Sequence, residues 1–571
     1  MKSALWIVLL ALMALAIRCH NLQDVFVGRH IYFVEADCYS RMTRVQMVTS
    51  GEQLIIKHHD FENWPAGTDP HTTAPLDFLI AGLYWTIEGG MRAIEGLAPG
   101  WYEERIFSMA KSDSEMTKEA ARILWIAWKD RLDLAGALIS PLLGFLTCLF
   151  LGWWARWGVG AAAGGESAQR LGIRAAVPVL FAFSPILVHG TLLGRPDHQS
   201  LLILVLAVAF GAEARIAAGP SKAWSIVAGI AWGFGLWVSL YEPLILLLVV
   251  LALWLARAPR RLWERERRPG WIALLVILIA ALAIDGWRVS APASEYIPFL
   301  KNWSKSIGEL RSIKPTSPLF FSWLGAGWVI APVLLLTSIR WDRRGIGALA
   351  LLLALYGFTM WQLRWGYFLA LAFAMALVWI WNVPRTEQRW TQWAWRIGLW
   401  AIFLGSLYPM AKEWDERLFP NAEARRQVAL QHGEMQQLRE AAERMRGPET
   451  VPFLAPWWNS PRIAYWSGQP GVAGSSHQSI SGNVDSAHFY LAEDRAVAGE
   501  ILKARRVAAV FGDEPGRVIS TSRQILGTTA SANPMAKRLI DDAADAAPFL
   551  VPTFSNQFYQ VFAVDQAKLN P

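Results

Sequence analysis

Charge is scarce in this chain. Only 18% of its 571 residues are charged and 54% are hydrophobic, against about 25% charged in soluble proteins. The deficit is concentrated in apolar runs of the length that crosses a bilayer. That excludes a single soluble domain and predicts a polytopic α-helical membrane protein. Cysteine is scarcer still: Cys19, Cys38 and Cys148 have no metal-site spacing, and three thiols close no disulfide framework, so neither zinc nor stapled loops are expected. Internal repeats and low-complexity linkers are also absent. Lys and Arg number 54 against 46 Asp and Glu, a net charge of +8. Much of that excess lies in short clusters between apolar runs, where the positive-inside rule puts it, so no nucleic-acid partner is indicated.

What is present is apolar sequence in long runs. The start, 1–17, is followed by Arg18, Cys19 and His20 rather than a small-x-small cleavage site, and reads as a retained first span. Further helices are expected near 75–93, 132–154, 175–194, 199–218, 223–238, 241–256, 271–288, 319–339, 346–361, 363–382 and 393–411, giving about 11–13 spans. Arg257, Arg260, Arg261, Arg265, Arg267 and Arg268 crowd one connection, and Arg340, Arg343 and Arg344 another; both belong on the cytoplasmic side. The outer loops are then about 18–73 and 289–318. The first holds Asp24, Glu35, Asp37, Asp60, Glu62 and Asp69, too many acids for a mere connector. Past about 412 the composition changes to a polar helix over 413–447 and then short alternating runs punctuated by Gly and Pro. Two domains are therefore expected, a transmembrane domain over 1–412 and a soluble extracytoplasmic α/β domain over 413–571. Within the second, strands are predicted around 507–511 and 558–564, with a helix near 494–505.

Five places carry candidate chemistry. Asp37 lies in Glu35-Ala-Asp-Cys-Tyr-Ser-Arg41 just outside the first span. A carboxylate there suits a divalent cation, which takes oxygen ligands and keeps positions open for phosphates; as a plain loop acid it would pair with Arg41 or Arg44. Asp197, His198 and Gln199 stand at the mouth of the span beginning near 200, where the Asp is equally a helix cap. Glu309 lies in a polar loop, and alone is uninformative. Arg364 opens a long apolar run, as a functional cation or as one snorkelling to the interface. In the tail, Trp457-Trp458-Asn459-Ser-Pro-Arg-Ile-Ala-Tyr-Trp-Ser467 precedes Gly474-Ser-Ser-His477. The adjacent indoles serve as core, as a membrane dock or as a peptide pocket.

In their order along the chain these motifs resemble the catalytic subunit of oligosaccharyltransferases, GT-C enzymes that move a lipid-pyrophosphate-linked glycan onto Asn. Asp37-Cys-Tyr-Ser-Arg41 resembles the family's first acidic motif. Trp64-Pro-Ala-Gly-Thr-Asp-Pro-His-Thr-Thr-Ala-Pro-Leu-Asp-Phe78 is similar to the entry of its second span. Asp197-His198-Gln199 resembles the second acidic motif, Ser306-Ile-Gly-Glu309 the loop motif ending in Glu, and Gln362-Leu-Arg364-Trp365 the start of a late span. Trp457-Trp458-Asn459 occupies the place of the signature Trp-Trp-Asp, and Ile463-Ala-Tyr-Trp-Ser467 that of the Ile-x-Tyr-Tyr-Ser behind it. Two departures stand out: Asn459 replaces the acid that accepts from the Ser or Thr of the acceptor sequence, and Gln199 stands where many members place a second acid.

The resemblance implies a metal-dependent, inverting transfer from a polyprenyl-pyrophosphate donor to an acceptor Asn of a protein or peptide. Asp37, Asp197, Glu309 and His198 would hold Mn²⁺ or Mg²⁺. Asp37 and Glu309 would be catalytic, accepting the acceptor amide's N–H bonds. Arg364 and His477 would bind the donor phosphates, and Trp457, Trp458 and Asn459 the acceptor. A multi-pass protein of the plasma membrane is implied, with lipid-linked glycan, acceptor and membrane lipids as partners. Three other readings stay open: a GT-C enzyme moving one sugar from a polyprenyl phosphate to a hydroxyl with Asp37 as general base, an inactive scaffold, and a transporter. Against the transporter, acids inside the spans are few, chiefly Glu213, Glu242 and Asp285.

Overall fold

The computed structural model describes residues 2–70, 74–162, 167–286, 293–325, 327–338, 345–380, 389–529 and 532–569. Arg340, Arg343 and Arg344, and the His-Thr-Thr of the 64–78 motif, lie outside them. The helices that matter below are α1 (Lys2–Arg18), α2 (Ala36–Ser50), α3 (Ala74–Leu97), α4 (Arg131–Ala162), α5 (His198–Ala218) and α6 (Lys222–Val238). They continue as α7 (Tyr241–Arg257), α8 (Arg268–Asp285), α9 (Gly345–Trp361), α10 (Gly366–Ile380), α11 (Ser460–Ser467) and α12 (Ile480–Leu491). Among the described residues, 131–156, 198–218 and 268–285 are long and apolar enough to cross a membrane, with four shorter apolar helices beside them.

Two compact units result. The first comprises Met1–Gln23, Ala137–Ile284 and Glu309–Asn421, the second Asp24–Gly136, Asp285–Gly308 and Ala422–Pro571. The tail thus shares a unit with most of both predicted outer loops, whereas 18–23 and Glu309 onward belong to the first unit, and the division near the end of the apolar region falls after 421.

The apolar runs of the first unit are helical, a form in which every backbone hydrogen bond is satisfied within the segment, as lipid would require. α5 is buried through most of its length and pairs with α6 across a short turn. α6 and α8 approach closely enough that a Cβ on Gly229 would stand 1.9 Å from the Gly270 carbonyl oxygen. Only small residues allow that contact. Two expected spans are each two helices. The 175–194 run breaks at Ser184, where Pro185 begins a new helix, Pro185–His189, as proline suits a first turn. The 319–339 run breaks at Gly325, whose φ of +78 ends helix Pro318–Leu324.

In the second unit, β1 (Phe26–Val27) and β2 (His30–Ile31) form a small hairpin before α2. The larger sheet joins β3 (Phe453–Leu454), β4 (Ala509–Gly512), β5 (Leu550–Ser555) and β6 (Gln560–Val564) in the order β3-β4-β6-β5. β3 runs parallel to β4, and the other pairs are antiparallel. Leu454, Val472, Phe489, Leu502, Val510 and Phe562 form its core with the covering helices. β4 and β6 match the predicted strands. β5 escaped because it is an edge strand carrying Pro552 and a register shift at that point, and β3 because two residues show no alternation. The predicted 413–447 helix is two helices, Arg389–Leu418 and Ala422–Glu443, parted at Pro420. Helices Trp101–Ala110 and Glu115–Lys129 fill a stretch for which no element was predicted.

Candidate active site

In the first unit the site is built on the N-terminus of α5. Asp197 is its N-cap, with an extended backbone that leaves the carboxylate over the unsatisfied first-turn amides. Its Oδ1 accepts from the His198 backbone N–H at 2.6 Å, and His198 Nδ1 lies 2.6 Å from the same oxygen. The capping reading of Asp197 is therefore met. Arg195, fully buried, reaches Glu309 Oε1 at 2.6 Å and Asp197 Oδ2 at 3.6 Å through the same Nη2. The Tyr367 hydroxyl donates to Glu309 Oε1 at 2.7 Å, Arg195 Nη1 donates to the Tyr367 oxygen at 3.2 Å, and His189 Nδ1 lies 2.9 Å from it. Burial alone would raise the Glu309 carboxyl, but the charges of Arg195 and Arg364 outweigh it and hold the group below the usual carboxylate range.

Arg364 follows α9 in a short turn, and its guanidinium forms an ion pair with Glu242, which is 1% exposed at the start of α7. Ser239 Oγ donates to the other Glu242 oxygen at 2.8 Å. The carboxylate fixes where Arg364 points, and the cation is not snorkelling alone.

The second unit gathers the remaining motifs. Asp37 sits exposed in the first turn of α2, where the helix dipole favours a carboxylate. Arg41 and Arg44 both pair with Asp77, at 2.5 and 3.0 Å, all three buried. Asp77 belongs to the 64–78 motif, so α2 and the start of α3 are locked together by ions. Tyr39 packs edge-on against Tyr465 and Trp466 of α11, joining the first acidic motif to the tail signature. Ser40 bonds to the buried Glu62, and Ser479 donates to Glu62 Oε2 at 3.0 Å. Burial lifts the Glu62 carboxyl above its ordinary range against those bonds. His477 begins the turn His477–Ser479 that carries this contact.

Trp457 stands edge-on to Trp303 at 5.5 Å and to Trp458 at 6.0 Å, and the indole nitrogens of all three are buried without a hydrogen-bond partner. The Arg517 guanidinium lies 4.8 Å over the Trp458 ring. Asn459 is committed at both ends: Nδ2 donates to Asp513 Oδ2 at 3.0 Å, and Oδ1 accepts from Arg462 at 3.2 Å. Burial pushes the Asp513 carboxyl up to about 6.

Of the predicted residues, the structure brings Asp197, His198 and Glu309 together, and places Arg364 in the same unit. Asp37, His477 and the Trp457–Asn459 turn all fall in the other unit. Sequence reasoning gave no role to Arg195, Tyr367, Asp77 or Asp513. Asp77 lay inside a motif already noted and Arg195 two residues before one; Tyr367 and Asp513 carried no signal.

No family model matches the chain, and none of the curated proteins does. Solved structures do. The Archaeoglobus fulgidus oligosaccharyltransferase AglB, in complex with an inhibitory peptide and a dolichol-phosphate, is similar with a TM-score of 0.59 at 14% identity over 99% of this chain and 74% of that one. The same protein in complex with Zn and sulfate gives 0.58 at 15% identity over 98% and 73%. ArnT from Cupriavidus metallidurans bound to undecaprenyl phosphate gives 0.50 at 14% identity over 99% of both chains. Despite the low identity, this chain shares the fold of AglB and ArnT.

Proposed function

We propose that the chain is a polytopic membrane glycosyltransferase that moves a glycan from a polyprenyl-pyrophosphate donor onto an Asn of a protein or peptide. The observation that carries the reading is the cluster at the start of α5, where Asp197 and Glu309 share the buried cation Arg195, in a fold like that of AglB and ArnT. About 11–13 spans, a plasma-membrane location and an extracytoplasmic tail belong to the same reading. A polyprenyl donor cannot leave the bilayer, so its headgroup has to meet the acceptor at the interface.

Asp197, Glu309 and His198 of the first unit are a donor set of carboxylates and one imidazole, chemistry that fits Mn²⁺ or Mg²⁺. In the first unit Arg195 competes for the same oxygens, at 2.6 Å from Glu309 and 3.6 Å from Asp197. A bound ion supplies charge neutralisation at the leaving phosphate. The chain's own groups do the rest. Asp37 and Glu309 accept the acceptor amide's N–H bonds and turn its nitrogen toward the anomeric carbon. Arg364, held by Glu242, and His477 grip the phosphates, for which a planar guanidinium is suited. Attack opposite the departing phosphate inverts that carbon. Trp457 and Trp458 offer buried indole N–H donors to the acceptor segment.

One observation favours a second reading. The Asn459 carbonyl already accepts from Arg462, which weakens its case as reader of a Ser or Thr hydroxyl. A GT-C transfer of a single sugar to a hydroxyl acceptor, with Asp37 as base, needs no such reader. Intact glycopeptide mass spectrometry on cells carrying the chain, beside cells carrying Asp37→Ala at equal abundance, separates the two. Asn-linked glycans that vanish with the substitution support the first reading. Unchanged Asn-linked profiles, with altered lipid or hydroxyl-linked products, support the second. No difference of any kind leaves an inactive scaffold.

A further inference from the structure

A cavity of about 430 Å³ opens at the opposite end of α5 from Asp197. It lies among the C-terminal halves of α5, α7 and α10 and the first turns of α9, wholly within the first unit. Its size falls in the roughly 300–1,000 Å³ range of pockets that enclose a small ligand. Phe210, Val250, Leu253, Leu351, Met375 and Trp379 make its wall apolar. Its rim carries three guanidinium groups, Arg215, Arg257 and Arg261.

Among the described residues the lining holds one carboxylate, Glu213, and it is already engaged. It accepts from Trp232 Nε1 at 3.2 Å, Trp254 Nε1 at 2.8 Å and Arg267 Nη2 at 2.6 Å. Among the described residues the lining therefore carries three arginines against one carboxylate. Arg261 donates to the Ala217 carbonyl at the end of α5, and Arg215 Nε is buried without a hydrogen-bond partner. An apolar slot under a cationic rim complements an amphiphile with an anionic head. The basic 257–268 connection puts this end at the cytoplasmic face, whose leaflet is rich in anionic lipid. Asp197 and Glu213 are sixteen residues apart on one helix, or about 24 Å at its usual rise, so a headgroup here is not at the acidic cluster.

We propose that this cavity holds one chain of an anionic phospholipid, with its phosphate on Arg215, Arg257 and Arg261, as a lipid site separate from that of the glycosyl donor. The inference rests on the membrane placement and not on the choice of acceptor.

The test is native mass spectrometry of the full-length protein in uncharged detergent, titrated with phosphatidylglycerol or phosphatidylcholine. Phosphatidylglycerol is expected to be retained about tenfold or more over phosphatidylcholine, since each basic group at an anionic headgroup adds to binding. Replacing Arg215, Arg257 and Arg261 together by Gln should erase that preference. Leu253→Trp, which fills the slot, should remove the bound lipid with melting unchanged, and Ala348→Phe serves if that variant does not fold. Millimolar inorganic phosphate should not displace the lipid. Phosphatidylglycerol retention by the neutralised and filled variants equal to that of the wild type, equal uptake of both lipids by the wild type, or displacement by phosphate alone would overturn the assignment.

Discussion

Asn459 donates its side-chain amide to Asp513 at 3.0 Å, from the turn before α11 to the end of β4. The acid missing from the tail signature therefore stands one hydrogen bond away, supplied by a different segment of the chain. Asn459→Asp sets two buried carboxylates against each other, and like charges at that distance cannot both ionise without cost. It is expected to lower the melting temperature by several degrees. The exchanged pair, Asn459→Asp with Asp513→Asn, restores one acid and one amide and should recover most of that loss. Thermal melts of the three full-length proteins check it, and a stable single variant would show that the two side chains are not coupled.

The same carboxyl makes stability depend on pH. Burial pushes Asp513 up to about 6, above the roughly 3.9 of an Asp in an unfolded chain. The folded protein thus binds the proton more tightly, and stability falls as pH rises from about 4 through 6. Asp513→Asn removes that fall. It should gain up to roughly 3 kcal/mol over the wild type at neutral pH, a value set by the two-unit shift, and nothing near pH 4. A difference between the two proteins that is flat across pH would assign the effect to packing instead.

Much of the architecture could be read from the chain, because apolar length is a strong signal in lipid and weakly dependent on neighbours. The helices near 199–218, 223–238 and 241–256 are found within a residue or two. What could not be read were the breaks and the long-range pairs. Ser184 and Gly325 interrupt runs that are apolar on both sides, so hydropathy passes over them. Glu242 was visible as an acid in an apolar run, yet that its partner is Arg364, more than a hundred positions on, depends on helix packing alone. Asp77 sat in a noted motif without a role, since its two arginines come from α2.

The Glu242–Arg364 pair separates positioning from binding. Arg364→Gln leaves Glu242 buried and uncompensated, at a cost of about 3–5 kcal/mol. Replacing both, Glu242→Gln with Arg364→Gln, removes the unpaired charge and should recover most of the stability. If Arg364 also grips the donor phosphates, the double variant stays impaired, with a donor KM raised at least about tenfold, in line with a charge-assisted hydrogen bond of roughly 1.5–3 kcal/mol. A double variant with wild-type KM would reduce Arg364 to a structural cation.

Arg195 poses the sharpest question about the acidic cluster, because its guanidinium contacts Glu309 and Asp197, two of the carboxylates that would hold a divalent ion. If metal and arginine compete for those oxygens, Arg195→Met should bind Mn²⁺ more tightly than the wild type. Its melting temperature would start lower, since two carboxylates lose their shared cation, and would rise further on titration with the ion, because stabilisation grows with the ratio of ligand to its Kd. Transfer by the wild type should fall with EDTA and return with Mn²⁺ or Mg²⁺. Full activity in EDTA, with no melting shift from Mn²⁺ in either protein, would assign charge neutralisation to Arg195 and remove the metal from the reaction.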